Sequence, residues 1–105
     1  MFGIGKKIKA AEITQEVTEG KALLIDVRRD DEWSNGHAVG AIHLVLDRIM
    51  RGELPTKDTS TKLYLYCASG GRSSRAATYL KGKGFTVENL GGLSSWRRSG
   101  GEVEN

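Results

Sequence analysis

The 105-residue chain holds one cysteine, Cys67, and its neighbours make it the first candidate for chemistry. The apolar, β-prone run Leu63-Tyr64-Leu65-Tyr66 ends on it. Ala68-Ser69-Gly70-Gly71 follows, then Arg72-Ser73, then a helical pattern. A loop with so few Cβ atoms can wind its backbone so that several N–H groups point inward. The helix behind it adds its own unpaired N–H groups and the positive end of its dipole. A cysteine at the strand's end then faces a bowl of positive partial charge, which favours the thiolate, the nucleophilic form. Inside the strand, the same cysteine would read as an inert small hydrophobe. Arg72, on the loop, suits oxyanion binding because a guanidinium offers several donors in one plane. Ser69 and Ser73 add hydroxyl donors, although Ser73 suits a helix cap equally well. The candidate site is therefore Cys67 as nucleophile, with Ala68, Ser69, Gly70, Gly71, Arg72 and Ser73 binding its ligand.

Composition narrows the partners. The net charge of +3 is a mild basic excess that suits a small anionic ligand. No long Lys/Arg stripe with interleaved aromatics points to nucleic acid. One cysteine rules out an internal disulfide, a C-x-x-C redox pair and a Cys-rich zinc site. His37 and His43 are the only other soft ligands, and their spacing is no metal signature, so neither metal nor cofactor is expected. No apolar run reaches membrane-spanning length, and no signal-peptide core follows the basic Met1–Lys9. The expectation is a cytoplasmic monomer, unless a segment has been removed ahead of Met1.

The elements that must position Cys67 alternate between strand and helix. Met1–Lys7 reads as loose, Ile8-Lys9-Ala10 as a short edge strand and Ala11–Thr18 as a helix stopped at Gly20. Ala22–Val27 is a continuous apolar run, the mark of a strand buried on both faces. A charged turn and short helix over Arg28–Asn35, a brief strand at Ala41–Leu44 and a helix over Val45–Arg51 come next. After the polar Pro55–Thr61 loop comes the central strand Lys62–Tyr66, then a helix over Ser73–Lys81. Phe85-Thr86-Val87 opens another strand. Leu93–Arg98 reads as a last helix with Trp96 as its core anchor, and the chain frays beyond it. Alternating strands and helices give a single-domain α/β fold over residues 1–105 with a mainly parallel sheet. In such sheets ligands bind at the carboxyl ends of strands.

At this point the chain resembles the rhodanese (sulfurtransferase) family. Cys67-Ala-Ser-Gly-Gly-Arg72-Ser73 resembles its active-site loop. Asp26-Val27-Arg28, Glu32-Trp33, Gly36-His37 and Gly40-Ala41-Ile42 resemble its D-V-R…E-[YW]…G-H…G-A-I series. Gly84-Phe85 and Asn89-Leu90-Gly91-Gly92 with Trp96 resemble its C-terminal signature. Val87-Glu88-Asn89 before Gly91-Gly92-Leu93 is also similar to the small phage-shock-type branch. His43 and Val45 stand where the family often has Asn and Pro, and the Gly84–Gly91 segment is short by a residue, which implies a tightened turn.

The resemblance implies a mainly parallel five-stranded sheet flanked by helices, and a persulfide relay. In that relay Cys67 takes the sulfane sulfur of thiosulfate or a persulfide and passes it to cyanide, a thiol or an acceptor protein. Arg72 would bind the donor's sulfonate oxygens or hold the loop. Asp26 and Glu32 read as scaffold partners, His37 as a satisfied structural histidine, Trp33 and Trp96 as core aromatics, and Arg28 as surface charge. Three rivals remain. A Cys-dependent phosphatase or arsenate reductase has five residues between Cys and Arg; this chain has four, Ala68 to Gly71. A binding module on the same scaffold usually lacks the cysteine. A sulfur carrier that serves another protein has the same loop.

Overall fold

The computed structural model describes residues 9–105. In chain order the elements are α1 (Ala10–Thr18), β1 (Ala22–Asp26), α2 (Asp30–Ser34), β2 (His37–Ala38), β3 (Ile42–His43) and α3 (Leu46–Met50). They continue with β4 (Lys62–Cys67), α4 (Gly71–Gly82), β5 (Val87–Gly92), α5 (Leu93–Arg98) and β6 (Val103–Glu104). Four strands form one sheet in the order β3-β1-β4-β5, every neighbouring pair parallel. The fold is α/β with helices on both faces, as the alternating pattern predicts.

Alternation along β1 and β4 divides the core in two. Ile25, Leu63, Leu65 and Cys67, with Val27 just past the end of β1, pack beneath α3 and α4, against Ile49, Ala76, Ala77 and Leu80. Ala22, Leu24, Tyr64 and Tyr66 face the other way, onto Ala10 and Ile13 of α1 and Trp96 of α5. Both strands are thus covered on both sides, which is why they read as unbroken apolar runs. The small Ala76 and Ala77 let α4 lie close on β4, so its first turn sits directly behind the Cys67 loop.

Several expectations need correction. The main sheet has four strands, and a separate antiparallel pair, β2 with β6, takes the place of a fifth. Ala10 opens α1 instead of ending a strand; Ile8 and the segment expected to be loose, Met1–Lys7, lie outside the described residues. The strand after α4, β5, begins at Val87 because Gly84 and Phe85 close α4, their N–H groups donating to Lys81 and Leu80 carbonyls. The C-terminus does not fray after α5. The Trp96 indole N–H donates to the Glu102 carbonyl at 2.8 Å, Val39 N–H donates to the same oxygen, and Val103 pairs with Ala38. No helix among the described residues is long and apolar enough to cross a membrane.

The largest correction concerns Arg28, which is 6% exposed where a surface charge was expected. Its guanidinium is paired with the fully buried Asp26 at 2.8 Å and donates to the Gly36 carbonyl at 2.6 Å. The Tyr66 hydroxyl donates to Asp26 Oδ2 at 2.7 Å and accepts the Ala38 N–H at 2.9 Å. Burial works against the Arg28 charge, but the Asp26 hydrogen bonds and charge overcome it and hold its pKa above the usual value. Burial, with the hydrogen bond to Asp26, raises Tyr66. Replacing one partner of such a pair strands the other charge in the core. Asp26→Ala is therefore expected to destabilise the fold by about 3–5 kcal/mol, read as a lowered urea midpoint.

Candidate functional site

Cys67 ends β4 at the carboxyl edge of the sheet and is 1% exposed, lying beneath Ala68 and Ser69, which face solvent. Gly70 reverses the chain at φ +108°, a conformation open to glycine and strained for other residues, and α4 starts at the next residue. That turn points the Gly70 N–H back at Cys67 Sγ, 3.0 Å away. The Ser73 hydroxyl, from the first turn of α4, lies 3.3 Å from the same sulfur. Burial pushes the thiol's pKa up. The Ser73 hydroxyl and the N–H groups of Ser73, Gly70 and Ser69 pull it down further, so the net effect is a lowered pKa. The Gly70 N–H and the Ser73 hydroxyl thus face the sulfur, as expected of a glycine-rich loop, and together with the other loop N–H groups they oppose its desolvation.

The loop is clamped from three directions. Arg72 leaves it sideways and grips Glu32 of α2 with two nitrogens, at 2.6 and 2.9 Å. Glu32 is pre-aimed, because the same carboxylate accepts the Arg29 N–H at 3.0 Å and so caps its own helix. The Arg72 hydrogen bonds lower the Glu32 pKa to about 2. Beneath the loop, Gly92 has no room for a Cβ: one would run into the Ala68 carbonyl and approach Ser69 N at 3.3 Å. Gly92 reaches that position through a bulge. From Leu65 to Cys67, β4 advances two residues while β5 advances three, from Asn89 to Gly92. From β5, Asn89 Nδ2 donates to the Gly70 carbonyl at 3.1 Å.

A family model described as "Rhodanese-like domain" matches residues 9–99. This chain belongs to the rhodanese-like family. Solved rhodanese structures overlay it over nearly its whole length. The rhodanese-related protein of Thermoplasma volcanium is 25% identical, with a TM-score of 0.74, and the match covers 95% of this chain and 98% of that one. The Alr3790 protein of Anabaena is 28% identical, with a TM-score of 0.75 and coverage of 93% and 91%. A rhodanese-like domain protein of Staphylococcus aureus is 29% identical, with a TM-score of 0.71 and coverage of 96% and 100%. These matches reach the family and do not separate its branches.

Within this rhodanese-like domain the residues expected at the site are together: Cys67, Ala68, Ser69, Gly70, Gly71, Arg72 and Ser73 form one strand-loop-helix turn. Ser73 is completely buried, with its Oγ 3.3 Å from Cys67 Sγ and 2.7 Å from Asn89 Oδ1. Arg72 is paired with Glu32, as the loop-holding one of its two expected roles requires. Trp33 is not a core aromatic. It is half-buried and stacks on His37 at 3.5 Å between ring centroids and on His43 at 4.7 Å. His37 Nδ1 donates to the Trp33 carbonyl and His43 Nε2 to the Arg28 carbonyl, so each histidine is a structural donor. A cleft of about 620 Å³ lies beside Arg72, lined by apolar Val27, Leu46 and Met50 and by charges of both signs, Arg29, Arg72 and Arg75 with Asp30, Asp31 and Asp47. Among the described residues no group of three or more His, Cys, Asp or Glu is placed to hold a metal ion.

Sequence reasoning gave no role at the site to Asn89 or Gly92. Asn89 carried one local signal: an Asn two residues before a Gly forms an Asx turn, and its Oδ1 does accept the Gly91 N–H at 2.9 Å. Its contacts with α4 and the loop depend on the bulge, which no local pattern marks.

The Glu32 pKa gives a pH test. A carboxylate lowered by folding contributes stability above its unfolded pKa, and loses it as pH falls toward the folded value. Glu32→Gln is expected to cost about 1 kcal/mol at pH 7, with the difference from the parent shrinking as pH drops from about 4.5 toward 2; urea melts at several pH values measure it. Gly92→Ala is expected to displace the loop and cost about 1–3 kcal/mol, read as a lowered urea midpoint together with slowed alkylation of Cys67.

Proposed function

We propose that this rhodanese-like chain is a sulfurtransferase that works through a Cys67 persulfide. The observation that carries this reading is the sulfur itself: a cysteine at a strand end, with a lowered pKa, receiving the Gly70 N–H at 3.0 Å. Cys67 thiolate attacks the outer sulfur of thiosulfate. The new S–S bond forms as the old one breaks, and sulfite leaves with the bonding pair. The outer sulfur of the persulfide then carries the negative charge, and the N–H groups of Ser69, Gly70 and Ser73, which face Cys67, are donors at hand for it. Cyanide or a thiolate attacks that outer sulfur, and Cys67 departs as thiolate. Two half-reactions sharing one covalent intermediate give ping-pong kinetics. No strong acid is needed, since every leaving group is already a stable anion.

Two features favour sulfur over phosphate. The four-residue loop is short, and the Ala68 and Ser69 backbone rests against Gly92, so the bowl cannot widen from below. Arg72, the residue that would face a tetrahedral oxyanion, is held by Glu32. In this reading Arg72 serves the reaction by fixing the loop. Binding of the donor's sulfonate falls to the loop N–H groups.

The test is the intact mass after incubation with thiosulfate or a persulfide, without acceptor. A gain of one sulfur on Cys67, removed by cyanide, is expected; Cys67→Ser should show neither the gain nor turnover. An unchanged mass with both donors on folded, reduced protein would sink the reading. Arg72→Ala is expected to reduce turnover with thiosulfate and with an uncharged persulfide by similar factors, about 10–100-fold, as befits a misplaced reacting group. A loss confined to thiosulfate would instead put Arg72 on the sulfonate.

A further inference from the structure

Ser73 has one hydroxyl proton and more than one acceptor for it. Three acceptors stand within reach: Asn89 Oδ1 at 2.7 Å, the Gly70 carbonyl at 3.2 Å and Cys67 Sγ at 3.3 Å. The Gly70 carbonyl already receives the Ser74 N–H at 2.9 Å and Asn89 Nδ2 at 3.1 Å, which fill its two lone pairs. Two competitors therefore remain, the Asn89 oxygen and the sulfur.

The identity of that oxygen does not rest on Ser73. The Gly91 N–H can only donate, so the Asn89 atom it meets at 2.9 Å is Oδ1. The Gly70 carbonyl can only accept, so the atom facing it is Nδ2. With the amide fixed in this way, its oxygen is an acceptor pointed at a completely buried hydroxyl.

We propose that Asn89 is a positioning residue that competes with Cys67 for the single hydroxyl proton of Ser73. With Cys67 as thiol, Ser73 donates to Asn89, and its free lone pair accepts the S–H. With Cys67 as thiolate, Ser73 turns and donates to the sulfur, while Asn89 keeps the Gly91 N–H. The proton stays on Ser73 in both states, and only its direction changes. Once the persulfide forms, the inner sulfur is neutral and the hydroxyl returns to Asn89. The hydroxyl thus follows the charge on Cys67 through the cycle, and Asn89 holds it whenever the sulfur is not anionic.

The surrounding charges do not take part in this exchange. Arg72 of α4, which feels the charge on Cys67, is tied to Glu32 of α2, and the Asp26–Arg28 pair lies at the end of β1. From β5 the group that reaches the sulfur's surroundings is the uncharged Asn89.

The inference rests on Cys67 as the reactive thiol of the proposed function, yet it is measured without sulfur transfer. The experiment is the pH dependence of iodoacetamide alkylation of Cys67 in the parent, Asn89→Ala, Asn89→Asp, Ser73→Ala and the two double variants, with circular dichroism to show that each is folded. Asn89→Ala frees the hydroxyl for the thiolate and should lower the midpoint by roughly half a unit to one unit, a difference of about one modest hydrogen bond. Ser73→Ala should raise the midpoint, and in that background Asn89→Ala should shift it little. A merely bracing amide predicts the opposite sign, since a loosened loop stabilises the thiolate less. A raised midpoint in Asn89→Ala, or equal shifts with and without Ser73, would overturn the proposal. If Asn89→Ala does not fold, Asn89→Asp decides, because it keeps the acceptor for Gly91. It should raise the midpoint, and by less when Ser73 is absent; an equal rise in both backgrounds refutes the competition. Failure of the parent to take up sulfur from donors would remove the proposed function and leave this readout intact.

Discussion

A carboxylate with no exposed surface is the constraint on which the rest of the structure depends. Asp26 sits at the end of β1, and burying its charge is costly unless every lone pair is answered. Arg28 and the Tyr66 hydroxyl answer them, and each does so at the end of a different stretch of chain. Tyr66 brings β4, one residue before Cys67. Arg28 carries on to the Gly36 carbonyl, and Tyr66 takes the Ala38 N–H, so both ends of the 28–38 excursion are tied to one carboxylate. Between those ties lies α2, and on α2 lies Glu32. The position of Arg72, and through it the side of the reactive loop, is thereby referred to a charge at the centre of the molecule. No buried side-chain polar atom among the described residues lacks a partner, which is the condition under which such a pair can be tolerated.

Electrostatics at Cys67 are a contest between burial and nearby donors. Removing the sulfur from water disfavours the thiolate, and a cysteine this buried would ordinarily be inert. The balance tips because the donors are parts of the backbone and of the first turn of α4, already oriented when the fold forms. The backbone N–H groups need no reorganisation as charge develops; the Ser73 hydroxyl alone has a second acceptor, Asn89 Oδ1. Gly70 makes the turn and Gly92 admits the loop to its seat. A side chain at either position would set the N–H groups elsewhere, while leaving Cys67 as buried as before.

Much of this was legible in the sequence. The apolar runs at Ala22–Val27 and Lys62–Tyr66 read as doubly covered strands, and Leu93–Arg98 as a helix anchored by Trp96. Cys67 at a strand end before Ser-Gly-Gly-Arg read as a thiolate bowl. What failed shares one cause. Arg28 and Trp33 were judged by residue type, and the partner of Arg72 was not foreseen, because their surroundings are assembled from segments distant in the chain. A guanidinium is a surface charge or a buried one according to whether a carboxylate meets it, and Glu32 lies 40 residues from Arg72. The C-terminal segment read as frayed because chain ends usually are. It is ordered because the Trp96 indole needs an acceptor in the core's rim and finds the Glu102 carbonyl.

The pairing of Arg72 with Glu32 also bears on selectivity. An unpaired arginine on this loop would favour multiply charged tetrahedral anions indiscriminately, sulfate and phosphate among them. With its charge balanced by Glu32, and with its two terminal nitrogens occupied, the loop is left with backbone dipoles, which stabilise a single anionic sulfur without demanding three oxygens around it. A cysteine persulfide presents that kind of charge: one atom, polarisable and narrow. The same pairing that fixes the loop therefore leaves the bowl better suited to a single anionic sulfur than to a tetrahedral oxyanion, which is the physical ground for the proposed reading over a phosphatase.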